Sequence, residues 1–259
     1  MEKAGVKPLV ADISQPEQLR SIGGPYDWIV NCVSSSGGGP ESYLATYLAG
    51  TRNLLKWLEP NPPKRFVYTS STSVYGQKDG SIVTEESPAE PEAETSRILL
   101  ATETLLREAA NHSRFPSIIL RVAGIYGPGR GHWLKQFLRG EAAIEGSGER
   151  WLNMVHRDDL VRIIIAALES GRPGQTNNVV DQEPVAQRAL FEWLADRTKR
   201  PMPPAVASQM RKRGSTNKRI SNEKLRRELN YHFLIPTFRE GFGRELTPNP
   251  NLSEKENVQ

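Results

Sequence analysis

Five consecutive hydroxyl residues, Thr69, Ser70, Ser71, Thr72 and Ser73, follow the apolar run Phe66-Val67-Tyr68 and precede Val74-Tyr75-Gly76. A hydroxyl donor preorganised toward a reacting oxygen lowers a barrier by about 3 kcal/mol. Serine and threonine are also ordinary turn formers, so the stretch reads as a site or as a turn. β-prone residues that stop abruptly in small polar ones indicate a buried parallel strand opening into a loop. Open α/β sheets carry their chemistry outside the carboxyl ends of such strands.

Other residue types with chemical capacity are sparse. His156 precedes Asp158 and Asp159 and is either a base or, more in keeping with a helix start, a structural hydrogen-bonding group. The two aspartates are expected to cap that helix and complement its dipole. His132 follows the glycine-rich stretch Gly124–Gly131 and is a candidate substrate contact. Tyr75 and Tyr126 each precede a glycine and are either walls of a site or packing residues. Cys32 is the only cysteine, which excludes an intrachain disulfide and a cysteine metal cluster; at the end of an apolar strand it is expected to pack. No two histidines have ligand spacing on one helix, so no metal site is expected.

The elements that must hold these residues alternate in type. Strands are expected at 6–13, 27–33, from Phe66, at 117–122 and at 177–180. Helices are expected at 16–22, 41–59, 95–110, 158–168, 185–197 and 221–229, with a polar loop over 80–93 and a turn-rich loop over 124–131. Strands alternating with helices imply an α/β protein with a mainly parallel sheet. Residues 249–259 are expected to be disordered.

Composition narrows the class. The 259 residues are 37% hydrophobic and 25% charged, as in a globular protein large enough for one big domain or two unequal lobes. No apolar run approaches a bilayer span, and residues 1–7 lack the apolar centre of a secretory signal, so a cytoplasmic location is expected. The net charge of +4 comes largely from a late basic run between Arg211 and Arg227. No aromatic residue is interleaved there, so nucleic acid is not the expected partner.

Taken in order, these pieces resemble the extended and atypical short-chain dehydrogenase/reductases, the NAD-dependent epimerase/dehydratase family. Val10-Ala11-Asp12-Ile13 resembles its third strand, Asp27–Val33 with Ser34 its fourth, and Thr69–Gly76 its fifth. Arg121–Gly129 resembles its sixth strand and substrate loop, Gly50–Asn53 and Val155–Leu160 its helix motifs, and Ser221–Leu229 its C-terminal lobe. The resemblance implies a Rossmann-like doubly wound sheet with a small C-terminal substrate lobe. It divides the chain into a core, residues 1–125 plus 153–182, and a lobe, residues 126–152 plus 183–248. It implies NAD or NADP as cofactor, met by Asp12, Ile13, Cys32, Val33, Ser34, Ser70 and Arg121. A sugar nucleotide or related small molecule would be met by Thr72, Tyr75, Gly124, Tyr126 and His132, with Ser71 as the catalytic hydroxyl. Pairing of two copies through helices 41–59 and 95–110 is implied as well.

Three departures accompany the resemblance. The family's glycine-rich pyrophosphate loop and its strand-helix-strand unit would precede residue 1, so weak cofactor binding and a partial chain are expectations. The Tyr-x-x-x-Lys pair is replaced by Thr95 and Leu99 when Glu103 sets the register, and Tyr47 stands where asparagine is usual. Threonine cannot act as a tuned base and leucine cannot lower a pKa. NAD(P)-linked turnover and ligand binding without turnover therefore both remain open. With the cofactor grip supplied, Thr95→Tyr plus Leu99→Lys is expected to restore the base.

Overall fold

The computed structural model describes residues 5–35, 38–207 and 216–247. Four parallel strands form the central sheet: β1 (Trp28–Asn31), β2 (Arg65–Ser71), β3 (Ser117–Val122) and β4 (Thr176–Val179), adjacent in that order. All six residues of β3 are buried, because helices cover both faces of a parallel sheet. On one face Phe66, Tyr68 and Ile119 meet Leu19 of α1 (Pro16–Arg20), Leu54 and Leu58 of α3 (Gly50–Leu58) and Leu106 of α4 (Glu94–Ser113). Helix α3 continues from α2 (Pro40–Tyr43) through a π-helical stretch, Leu44–Ala49. On the other face Val67, Ile118 and Leu120 meet Leu160 and Ile163 of α6 (Arg157–Ser170) and Leu225 of α8 (Glu223–Glu228). Alternate residues of β2 and β3 thus supply two separate cores.

A third core lies beyond the carboxyl end of the sheet. It joins Tyr126 and Leu152 to α5 (His132–Arg139), α7 (Gln187–Thr198) and α9 (Phe238–Leu246). Helices α5 and α9 were not among the expected elements, because the glycines and short polar runs around them mask their periodicity. Gly124–Tyr126 forms a short strand paired with Met154–His156, inside the stretch expected to be a turn-rich loop. Val185–Ala186, expected to open a helix, pairs with Trp151–Leu152. Residues 249–259 lie outside the described residues.

Residues 6–13 are not a strand. Val6, Leu9 and Val10 are exposed, and the segment is tied to α3 instead. Asn53 Nδ2 donates to Ile13 O at 3.0 Å. The Ile13 side chain lies where a Cβ on Gly50 would stand, at 2.7 Å. A strand requires a hydrogen-bonding neighbour, and residues 6–13 do not reach β1.

The two sheet edges differ. At β4 the Asn178 N–H donates to Glu85 Oε1 at 2.6 Å and Lys224 Nζ to Thr176 O at 2.8 Å. At β1 the side chains of Trp28 and Val30, with Val33 beyond, are exposed, and β2 is its partner in the described sheet. A bare apolar edge templates association. The chain is expected to show an apparent mass by light scattering that rises with concentration, and Val30→Lys is expected to return it to the monomer value. A concentration-independent monomer mass for the unmodified chain would contradict this.

Candidate active site

Strand β2 ends at Ser71, where the backbone leaves the sheet in a single 3-10 turn, Thr72–Val74. Ser71 caps that turn: its Oγ accepts from the Ser73 N–H at 3.2 Å. A serine hydroxyl has one proton to donate as well as lone pairs, and the Ser71 proton has no acceptor among the described residues. Ser96, from the first turn of α4, donates to Ser73 Oγ at 3.0 Å. Ser71, Thr72 and Ser73 are half-buried at the carboxyl end of the sheet.

Beneath the turn lies a buried polar network. Ser70 donates to Glu103 Oε1 at 2.6 Å. Arg121 donates to Glu103 Oε2 through Nη2 at 2.6 Å and to the Tyr75 hydroxyl through Nη1 at 2.8 Å. The Tyr75 hydroxyl in turn donates to Asn178 Oδ1 at 2.8 Å. Glu103 raises the Arg121 pKa through its hydrogen bonds and charge, outweighing the opposing effect of burial. Burial raises the Tyr75 pKa. Ser70 and Arg121, expected at the cofactor, thus meet the Glu103 carboxylate of α4, and Tyr75, expected at the substrate, is buried with its hydroxyl between Arg121 and Asn178.

Tyr126 is likewise internal. Its hydroxyl donates to Thr237 O at 3.1 Å, and its ring meets His156 and Phe242 edge-on. Burial raises its pKa. A Cβ on Gly241 would stand 2.3 Å from that ring, so glycine is required there. His156 is the structural group: its Nδ1 accepts from the Asp158 N–H at 3.2 Å, capping α6, and burial lowers its pKa. Asp159 does not cap. Its buried carboxylate accepts from Tyr231 Oη at 2.7 Å, Leu234 N at 2.8 Å and Ile235 N at 2.9 Å, pinning the C-terminal segment to α6.

The open rim is narrower than the sequence suggested. Asp12 is exposed, and hydrogen bonds from the Ser14 backbone and side chain hold its pKa below the usual carboxylate range. Ile13 is half-buried against α3. Cys32, Val33 and Ser34 are exposed beyond β1. The expectation that Cys32 packs is corrected, because the strand ends one residue earlier, at Asn31. Gly124 is exposed, and His132 is exposed at the start of α5 with its ring against Trp133. On α4 the residue that meets the hydroxyl turn is Ser96, not Thr95. Leu99 is 5% exposed and packs in an apolar cluster with Val74, Tyr75, Ala123 and Ile220. Among the described residues, no group of three His, Cys, Asp or Glu side chains could hold a metal ion. No helix among them is long and apolar enough to cross a membrane.

The model of the NAD dependent epimerase/dehydratase family matches residues 2–181. The chain belongs to this family. Protein YeeZ of Escherichia coli K12 is 32% identical over 160 residues, 62% of this chain and 54% of that protein. Human dTDP-D-glucose 4,6-dehydratase is 26% identical over 145 residues, 53% of this chain and 41% of that enzyme. The chain spans about half the length of the curated relatives it matches. A solved structure of a Streptomyces venezuelae dTDP-glucose 4,6-dehydratase double mutant, with NAD bound, superposes with a TM-score of 0.79 at 25% identity. That superposition covers 91% of this chain and 77% of the other. A central parallel sheet flanked by helices is what this Rossmann-like family shares.

Proposed function

We propose that this family member acts on a sugar nucleotide or related small molecule through NAD(P)-linked chemistry, with Ser71 donating a hydrogen bond to the reacting oxygen. The observation that carries this is the unspent Ser71 proton at the carboxyl end of β2, where a parallel α/β sheet presents its ligands. The exposed Asp12 carboxylate and the rim Cys32–Ser34 suit one end of a dinucleotide, and the hydroxyl turn suits the other. None of these rim residues carries positive charge for the pyrophosphate between them. The nicotinamide would supply the hydride chemistry; this chain's own part is to orient the substrate oxygen. Pairing of copies through α2–α3 and α4, and a cytoplasmic location, belong to the same proposal.

A second function, ligand binding without turnover, is favoured by Leu99, which is core and leaves α4 no cation at that position. Titration of nicotinamide fluorescence, with turnover assayed on dTDP- and UDP-sugars, separates the two. Binding of NAD(P)H is expected to be weak, with a Kd above about 1 mM, or roughly −4 kcal/mol. Micromolar binding would contradict that grip. Turnover that falls about a hundredfold in Ser71→Ala supports the enzyme. Binding with no turnover on any sugar nucleotide supports the second function.

A further inference from the structure

Lys218 occupies a position that its neighbours make apolar. It lies in the segment 216–222, where Arg219–Ile220 pairs with Ile82–Val83. Side chains along an extended segment alternate between faces. Ile220 is buried with Val74, Tyr75 and Leu99, and Lys218, two residues earlier, is 5% exposed. Arg219 points the other way, its guanidinium over the Trp151 ring and its Nε on Gly80 O at 2.9 Å. A buried ammonium is ordinarily paired with a carboxylate. Among the described residues Nζ has one hydrogen-bond partner, the backbone carbonyl of Tyr75, at 2.7 Å.

The carbonyl it holds belongs to the hydroxyl turn. The Tyr75 N–H closes the turn on Thr72 O at 3.3 Å, and its hydroxyl is held by Arg121 and Asn178. At the next residue only glycine fits, because a Cβ on Gly76 would lie 2.2 Å from Glu90 O. Ser73, Tyr75, Gly76, Ala93 and Thr216 line one small cleft there. Tyr75 is therefore fixed from β3, from β4 and from the C-terminal segment at once, and Ser71 is four residues before it.

We propose that Lys218 is a positioning residue for the candidate site: by holding the Tyr75 carbonyl it sets the Ser71–Ser73 turn from the C-terminal segment, 143 residues away in sequence. The functional weight of this rests on Ser71 being the donor of the proposed chemistry. The turn's geometry then depends on the charge of Lys218. Charged groups on the surrounding elements are engaged elsewhere. Glu92 pairs with Lys78 at 2.6 Å, Glu103 with Arg121 behind the Tyr75 ring, Glu85 accepts from the Asn178 N–H, and Arg219 faces Trp151. The Tyr75 phenol is held by Arg121. With no counter-ion among the described residues, burial pulls the Lys218 pKa down to about 8.

The sign of the linkage separates positioning from stability. A lysine whose folded pKa is depressed below its unfolded value binds fewer protons folded than unfolded in the window between them. Its contribution to global stability therefore rises with pH from about 8 to about 10.5. Its hydrogen bond to Tyr75 weakens as pH rises through about 8, where the folded ammonium becomes an amine. Loosening of the turn above about pH 8 thus cannot be ascribed to Lys218-linked global unfolding.

Amide hydrogen exchange on the full chain, expressed as protection factors for Ser73 and Tyr75, tests this without any ligand. Unmodified protein is expected to lose about tenfold in protection at these two amides as pH rises through about 8, the weight of one hydrogen bond from a charged donor. Lys218→Met is expected to show the low value at every pH, and Lys218→Arg the high value at every pH. Protection in the unmodified chain that is flat through pH 8 would overturn the proposal. So would Lys218→Met with unmodified protection. Should Lys218→Met fail to fold, the unmodified and Lys218→Arg profiles still decide it. The nicotinamide titration can fail while this experiment succeeds, and the reverse, so the two proposals fall separately.

Discussion

Glu103→Ala is expected to destabilise the protein by about 4 kcal/mol, read from the shift of its urea unfolding curve. Glu103 is fully buried on α4. It accepts from Ser70 at 2.6 Å, from Arg121 Nη2 at 2.6 Å and from Arg107 Nη1 at 3.2 Å. Alanine removes all of these acceptors and leaves the Arg121 guanidinium, 4% exposed, inside the protein without a carboxylate. An uncompensated buried charge is the costly half of a broken ion pair, whereas replacing both partners with apolar groups of similar volume is often neutral. Glu103→Leu with Arg121→Met is therefore expected to lie within about 1.5 kcal/mol of the unmodified chain. Equal losses in the single and double variants would show that hydrogen bonding to Ser70 and Tyr75, not charge pairing, carries the network.

Leu99→Lys is expected to cost about 3 kcal/mol or more, and Thr95→Tyr with Leu99→Lys is expected to give no hydride transfer. This reverses the expectation from the sequence resemblance. Leu99 packs on Val74, Tyr75, Ala123, Val180 and Ile220. Lysine there forfeits about 2 kcal/mol of apolar burial and brings an ammonium into an apolar cluster, where Glu103, one turn further along α4, is already engaged by Arg121. Lys218 already holds a positive charge against the adjoining Tyr75 carbonyl, so a second would be repelled. Position 95 does not help, because Ser96 makes the contact with the hydroxyl turn. Leu99→Met, which keeps volume and polarity, is expected to cost less than about 1.5 kcal/mol. Thermal unfolding of the three variants distinguishes a core position from a solvent-facing one: near-equal melting temperatures for Leu99→Lys and Leu99→Met would place residue 99 at the surface. Reduction of any sugar nucleotide by the double variant would overturn the assignment of the α4 face.

Much of the architecture is legible from neighbouring residues alone. Apolar runs ending in small polar residues mark β1 and β2, the apolar run Ile118-Ile119-Leu120 marks β3, and apolar residues three and four apart mark α3, α4 and α6. Burial on both faces leaves such strands continuous and apolar, and burial on one face leaves such helices striped. The position of Ser71 at the mouth of the sheet follows from the same local pattern. What lay beyond it depended on partners distant in the chain. Residues 6–13 have a strand's composition, but a strand exists only where another offers its hydrogen bonds, and that segment rests on α3 instead. Ser70 and Ser71 are alike in type and adjacent, and consecutive residues of a strand point to opposite faces. Only the placement of Glu103, 33 residues onward, decides that Ser70 turns inward. Arg121 and Tyr75 carry chemistry that suits a ligand, and burial spends it within the fold. Lys218 looked like one more charge in a basic run. Its meaning came from a contact spanning 143 residues, because tertiary packing decides which of many similar charges is taken out of water.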